Sequence, residues 1–237
     1  MKGIILAAGR GSRMKGMTEA QPKCLVAVRG KSLLEWQLDA MRDAGVEEIA
    51  VVTGYKRELL CDYGLKEFHN PRWAETNMVS SLVCASEWLL EEACIVSYSD
   101  IFYSCQAIQS LQETNAPAAI TFDPNWLKLW EDRFGDPLLD AETFRLNPDN
   151  TLAEIGRKPK GVEEIQGQYM GLLLFTPQVW LEVEHFLEDL LPADRDTLQM
   201  TGMLDDLITR RNLSITAIPY NGLWGEVDSQ EDLALYL

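Results

Sequence analysis

The sequence predicts an α/β protein: a single, doubly wound, mostly parallel (mixed) sheet with helices on both faces, in one domain over residues 1–237. Three features carry that expectation. An apolar segment opens the chain and runs into a glycine-rich, basic loop. A capped amphipathic helix and a second apolar segment follow, completing a β-loop-α-β unit. Short apolar runs and amphipathic stretches then alternate to the C-terminus, with no repeat, low-complexity tract or Pro/Ser linker to mark a boundary.

In chain order, Ile4, Ile5 and Leu6 form a run that can be buried on both faces, as in a central parallel strand. The stretch from Ser32 to Gly45 reads as a helix. Leu33, Leu34, Leu38 and Met41 lie on its apolar side, Ser32 is its N-cap with Glu35 completing a capping box, and Gly45 is its stop. Glu48 to Thr53 is the second strand, and a short strand ends at Phe68-His69-Asn70-Pro71. Trp73 to Asn77 is a polar connection, Met78 to Glu91 a helix, and Cys94 to Ser97 a buried strand that runs into Tyr98-Ser99-Asp100. Phe144–Leu146, Thr151–Ile155 and Gln168–Phe175 supply further strands. Pro177–Leu191 and roughly Met203–Arg210 are helices, Leu213–Pro219 a late strand, and Ser229–Leu237 a closing helix.

The loop after the first strand suits an anion. Gly9 and Gly11 permit positive φ and close approach, and such a turn aims successive backbone N–H groups at a phosphate. Arg10, Arg13, Lys15 and Lys23 stand where charge-assisted bonds to phosphate form. Two better-known phosphate loops are excluded. A G-x-G-x-x-G fingerprint needs glycine where Met14 stands, and a Walker A loop ending at Gly30-Lys31-Ser32 needs glycine at Leu25.

Charge distribution agrees with a small anionic ligand. Residues 1–31 hold seven lysines and arginines against the single acid Glu19, a net +6, which leaves −22 for the rest of a chain whose total is −16. Such a body disfavours nucleic acid and anionic membranes as partners, while its basic loop favours a nucleotide. No apolar stretch is long enough to span a bilayer, and the first one is too short for a secretory leader. Five cysteines without a C-x-x-C pair or zinc spacing read as reduced thiols, and so as a cytoplasmic setting.

Leu6-Ala7-Ala8-Gly9-Arg10-Gly11-Ser12-Arg13-Met14, with Pro22-Lys23, resembles the nucleotidyltransferase signature L-A-A-G-x-G-x-R-[ML]…P-K, shared by sugar-nucleotide pyrophosphorylases and cytidylyltransferases. The resemblance implies the nucleotide-diphospho-sugar transferase fold and a loop (Leu6, Ala7, Ala8, Gly9, Gly11, Ser12) that wraps a triphosphate. It also implies that Arg13 and Lys23 stabilise charge as the α-phosphate is attacked. Thr76-Asn77-Met78-Val79-Ser80-Ser81-Leu82 resembles the N-x-x-S-L segment of bacterial phosphocholine cytidylyltransferases, which places Asn77 and Ser81 near the nucleoside. Thr76 or Asn77 as a helix cap is the alternative.

Asp100, at a strand end on the loop's edge of the sheet, has the position and hard oxygens of a Mg2+ ligand, or else caps a turn. By resemblance Asp228, in Glu226-Val227-Asp228-Ser229, completes the metal site. It is favoured over Glu226, with capping of the last helix as the other reading. Glu154-Ile155-Gly156-Arg157-Lys158-Pro159-Lys160 resembles the E-K-P segment of sugar nucleotidyltransferases, implying that Lys158 contacts the phosphate of the second substrate, with Lys160 behind it. Trp126, Trp130, Tyr169 and Trp224 are candidates for an aromatic cage around a quaternary ammonium, or else core packing. Asp123, Glu131 and Asp136 are acids that would meet an amine.

The compact length, the Asn77 segment and the Glu226–Ser229 close give the nearest likeness to phosphocholine cytidylyltransferases. The implied reaction is attack of a phosphate or phosphonate oxygen of a small acceptor on CTP with release of pyrophosphate, without a general base because the nucleophile is already an oxyanion. A sugar-1-phosphate uridylyl- or thymidylyltransferase, an aminoethylphosphonate cytidylyltransferase and a non-catalytic nucleotide-binding regulator are the alternatives. A homodimer is left open by a linear sequence.

Overall fold

The computed structural model describes residues 1–236; Leu237, the last residue of the expected closing helix, lies outside the described residues. Seven strands build the main sheet in the order β12 (Thr216–Pro219), β8 (Ala118–Asp123), β11 (Gln168–Phe175), β6 (Cys94–Tyr98), β1 (Lys2–Ala7), β4 (Ile49–Thr53), β5 (Lys66–His69). All pairings are parallel except those of β11, which runs antiparallel to both β6 and β8. This is the mixed, mostly parallel sheet that the sequence predicts. The remaining strands form three small pairs: β2 (Ala27–Val28) with β3 (Lys31–Ser32), β9 (Phe144–Leu146) with β10 (Leu152–Ile155), and β7 (Ile101–Tyr103) with β13 (Trp224–Glu226).

The two faces of β1 are covered by different layers. Ile4 and Leu6 pack with α2 (Met78–Val83), α3 (Ser86–Glu91), α6 (Pro177–Glu188) and α8 (Met200–Arg211), through Leu82, Leu89, Trp180, Val183 and Leu204. Ile5 and Ala7 pack with α1 (Leu33–Asp43) and α4 (Cys105–Gln112), through Leu34, Leu38, Met41, Ile108 and Leu111. The period of two along a strand sends alternate side chains to opposite layers, and each layer excludes water from its own half of the core. Helix α1 carries the expected capping box, with Ser32 accepting from the Glu35 N–H and the Glu35 carboxylate accepting from the Ser32 N–H.

Register sets the site. Ala7 lies opposite Thr53, and Leu6 opposite Tyr98, so β1, β4 and β6 end together. The residues that follow them, Ala8, Gly54 and Ser99-Asp100, therefore share one edge, the carboxyl edge at which open α/β sheets bind ligands. Pairing of β13 with β7 brings the C-terminal segment there too: Glu226 lies opposite Ile101, and the Val227 N–H donates to the Asp100 carbonyl at 2.9 Å. Buried Val227 packs with Met14, Val26, Leu33 and Phe102 in a small third cluster beneath that edge.

Several elements differ from expectation. The helix foreseen over Met78–Glu91 is two, because Ala85 and Trp88 donate back only three residues and tighten the turn between α2 and α3. The helix foreseen over Pro177–Leu191 stops at Glu188, and the separate α7 (Pro192–Thr197) starts beyond it. Helix α8 is longer than foreseen, while α5 (Trp126–Phe134) and the closing α9 (Gln230–Ala234) complete the set. No cysteine is in a disulfide; Cys24 and Cys94 are buried, Cys84 and Cys105 are half-buried, and Cys61 is exposed. Among the described residues no helix is long and apolar enough to cross a membrane.

Close approach of the β1 and β4 loops depends on Gly54, where an added Cβ would lie 2.5 Å from both the Ala8 carbonyl oxygen and the Trp73 Cβ. Gly54→Ala is expected to lower the free energy of unfolding by about 1–3 kcal/mol, read from a urea midpoint. An unchanged midpoint would contradict this packing.

Candidate active site

The loop leaving β1 is shaped by Gly11, whose φ of 69° lies in the left-handed region and whose Cβ, were there one, would sit 2.8 Å from the Lys23 Cβ. Glycine here lets the loop lie directly against Lys23. Thr18 Oγ1 donates to the Gly11 carbonyl at 3.0 Å and closes the following turns. The resulting cleft is lined on one wall by Leu6, Ala8, Gly9, Gly11, Ser12 and Arg13, and on the other by Trp73, Thr76, Asn77, Met78 and Ser81. Lys23, Asp100 and Asp228 are at its floor.

Every nucleotide residue expected from the sequence lines this cleft except Ala7, whose side chain belongs to the opposite layer with α1 and α4. Asn77 is both cap and wall: its Oδ1 accepts from the Met78 N–H at 2.9 Å, and its Nδ2 donates to the Thr197 carbonyl at 3.2 Å. Ser81 accepts from the Asn70 amide at 3.0 Å. Arg10 lies outside the cleft, with its guanidinium over the Tyr55 ring.

Three carboxylates meet at the floor. Asp100, Glu226 and Asp228 each offer an oxygen within 4.8 Å of the others. Two buried cations answer them. The Lys23 ammonium donates to Asp100 at 2.9 Å and also to Asp228. The Arg133 guanidinium, with a fully buried side chain, pairs with Glu226, with Asp232 at 2.8 Å and with Asp228 at 3.6 Å. Arg13 adds a third contact to Asp228 at 3.0 Å.

Titration follows from these neighbours. Burial opposes ionisation of Asp228, but the Lys23 ammonium outweighs it, helped by Arg13 and Arg133, and holds the carboxyl below its ordinary value. Burial likewise works against a charged Lys23, yet Asp100 and Asp228 keep its pKa above the ordinary one. Glu226 goes the other way: burial and then the nearby Asp228 charge push it up to about 8, with Arg133 only partly offsetting them.

A second pocket opens on the far side of Arg13, Asn77, Met78 and Asp228, residues that both pockets share. Its other walls include Tyr98, Trp130, Asp140, Glu142, Gln168 and Tyr169. A register shift in β11 between Tyr169 and Leu173 shapes it, with Gly171 at φ 79° where a Cβ would meet the Tyr98 ring at 2.8 Å.

The acceptor residues expected from sequence divide here. Trp130 and Tyr169 line the second pocket, whereas Trp126 and Trp224 do not. Trp126 packs edge-on against Trp130 and is buried, and Trp224 donates its indole N–H to Asp123 at 2.9 Å. The Trp130 ring carries the Arg133 guanidinium at 4.6 Å, so an internal cation already covers a face that a cage would need. Lys158 is not brought to either pocket; its exposed ammonium donates to the Leu138 carbonyl at 2.7 Å, and Lys160 is exposed as well. Nor do Asp123, Glu131 and Asp136 reach the second pocket. Besides Asp228 and Glu226, the acids in its wall are Asp140 and Glu142; nothing local in the sequence marks these two, or Gln199 beside them, as site residues, and Trp73 in the first cleft read only as part of a polar connection.

Two outcomes follow from this electrostatic arrangement. Arg133→Met leaves Glu226 and Asp232 facing each other without their cation and is expected to lower stability by about 3–5 kcal/mol, measured by urea unfolding; a loss under about 1 kcal/mol would contradict the buried pairing. Glu226 has a folded pKa raised above its unfolded value, so its contribution is full in acid and is lost as pH rises through about 8. In metal-free buffer, the melting temperature of Glu226→Gln relative to the unaltered protein should therefore rise between pH 5 and pH 8.5, and a difference constant with pH would contradict the shift.

Residues 3–170 match the MobA-like NTP transferase domain. The CTP:phosphoglutamine cytidylyltransferase of Campylobacter jejuni is 37% identical over 256 aligned positions, covering 100% of this chain and 99% of that protein. The choline-phosphate cytidylyltransferase of Streptococcus pneumoniae is 40% identical over 93 residues, 38% of this chain and 41% of its own length. The solved structure of the S. pneumoniae CTP:phosphocholine cytidylyltransferase superimposes with a TM-score of 0.73 at 21% identity, over 99% of this chain and 96% of that one, and so shares the fold. With a strand-end loop, a carboxylate floor and two adjoining pockets in that fold, the chain belongs to the MobA-like NTP transferase family and is a nucleotidyltransferase.

Proposed function

We propose that the protein is a cytidylyltransferase that joins CTP to a small phosphorylated or phosphonylated acceptor and releases pyrophosphate. The observation that carries this reading is the wall of Arg13, Asn77, Met78 and Asp228 common to the two pockets. A nucleotide in the loop cleft and an acceptor in the second pocket would meet there, and holding two reactants in register removes much of the entropic barrier to their reaction. Cytosine as the base is supported by the full-length likeness to the C. jejuni enzyme.

The chemistry is a single displacement. A phosphoryl oxygen of the acceptor forms a bond to the α-phosphorus of CTP as the bond to the β-phosphate oxygen breaks, and the electron pair leaves with pyrophosphate. The acceptor oxygen is already anionic, so no side chain has to remove a proton. Backbone N–H groups of the Ala8–Ser12 loop face the triphosphate, and Arg13 and Lys23 offset the charge that builds on it. For Lys23 this means turning from the carboxylates towards phosphate.

The carboxylate floor fits Mg2+. It presents hard oxygen donors from three side chains, and Asp100 Oδ1 is buried without a hydrogen-bond partner in the described structure. Asp100 and Asp228 would hold the ion, with Glu226 beside them. Bound there, it would neutralise phosphate charge.

The test is pyrophosphate release with Mg2+, CTP, UTP or dTTP, and a panel of phosphoglutamine, phosphocholine, aminoethylphosphonate and sugar 1-phosphates. Release with CTP and a nitrogen-bearing acceptor is expected. Release only with UTP or dTTP and a sugar phosphate would overturn the proposal. In the same assay Asp100→Asn should fold normally and lose about a hundredfold or more in turnover; near-normal turnover would remove Asp100 from the site.

A further inference from the structure

The geometry points to the second pocket as a reader of an α-amino-acid end: Asp140 and Glu142 accept N–H bonds from a protonated primary amine, and the Trp130 indole N–H donates to an oxygen of the adjoining carboxylate. This rests on the cytidylyl-transfer reading for the identity of the pocket, and it names the acceptor class and the residues that select it.

Four carboxylates stand in that wall, Asp140, Glu142, Glu226 and Asp228, but they are not equivalent. Asp228 and Glu226 are answered by Lys23 and Arg133, whereas neither Asp140 nor Glu142 forms an ion pair among the described residues. Glu142 has one side-chain partner, the Thr201 hydroxyl at 3.3 Å. These two acids therefore present free acceptor oxygens to whatever enters.

The second observation is independent of the acids. Trp130 is 1% exposed and lines the same pocket, yet its indole nitrogen has no hydrogen-bond acceptor in the described structure. A buried donor of this kind is completed when a ligand brings an oxygen to it. One ligand end that carries both an N–H cation and an oxygen acceptor on adjacent atoms is an α-amino acid.

A quaternary ammonium satisfies neither requirement. It has no N–H to give a carboxylate, and its methyl groups need open aromatic faces. Arg133 lies over Trp130, Trp126 is buried beside it, and Tyr98 and Tyr169 meet edge to face at 5.7 Å. The pocket is rich in hydrogen-bonding atoms and poor in uncovered rings.

Calorimetric titration of the full chain with phosphocholine, phosphoethanolamine and O-phospho-L-serine, each in the presence of Mg2+ and a non-hydrolysable CTP analogue, isolates the two features one at a time. Phosphoethanolamine should bind roughly tenfold or more tightly than phosphocholine, and O-phospho-L-serine tighter still. Asp140→Asn and Glu142→Gln should each reduce the amine-over-choline ratio with little change for phosphocholine. Trp130→Phe, which keeps the ring under Arg133, should erase the preference for the carboxylate-bearing ligand alone. Equal or tighter binding of phosphocholine, or variants that weaken all three ligands alike, would overturn the inference. Pyrophosphate release from CTP, run in parallel, reports separately on the reading beneath it: turnover with an unchanged amine-to-choline ratio leaves that reading standing and removes only this one.

Discussion

Asp228 is the point on which the site turns. The residue is buried, its carboxylate is held from three sides by Lys23, Arg13 and Arg133, and its own N–H donates to Asp232 at 3.0 Å. Through it the N-terminal loop, helix α5 and the closing helix α9 are joined, although they are far apart in sequence. An isolated buried carboxylate would take up a proton, so the cations are what make a charged group tolerable there. The same residue stands in the wall common to the loop cleft and the second pocket. A change at any of its partners therefore reaches both pockets and the packing beneath them.

The sheet makes this arrangement affordable to build. Strands β1, β4 and β6 end in register, so three unrelated loops are delivered to one edge without long excursions. The β7–β13 pair then fixes the C-terminal segment against Asp100 by backbone hydrogen bonds, which do not depend on side-chain identity. Side chains are left free to supply charge. On the other side, the antiparallel strand β11 interrupts its own pairing around Gly171, and the irregularity shapes the second pocket next to Tyr98.

How much of this was legible in the sequence depends on distance along the chain. The loop could be read because strand, glycines and basic side chains are contiguous, and Leu6, Ala8, Gly9, Gly11, Ser12 and Arg13 line the cleft; the alternation of a strand sends Ala7 to the other face, and Arg10 and Lys15 stay outside. Asp100 was legible as a strand-end acid and Asp228 only through the family resemblance; their approach is made by β7 and β13, short strands that no periodicity reveals. Arg133 was invisible: in Trp130-Glu-Asp-Arg-Phe134 it reads as a solvated helical charge, and its partners lie about ninety or more residues away. The aromatic residues could be counted but not oriented, and composition does not say that Arg133 covers Trp130. Lys158 shows the reverse error, since a likeness of local sequence placed in the site a side chain whose backbone the fold carries outside it.

The most direct test of this account is a crystal structure with CTP and Mn2+, read by the anomalous signal of the metal. The account expects the cytidine beside Trp73 and Ser81, the metal touching Asp100 and Asp228, and the Lys23 ammonium turned onto phosphate. A nucleotide in the Asp140–Glu142 pocket, or a metal that touches neither aspartate, would contradict it.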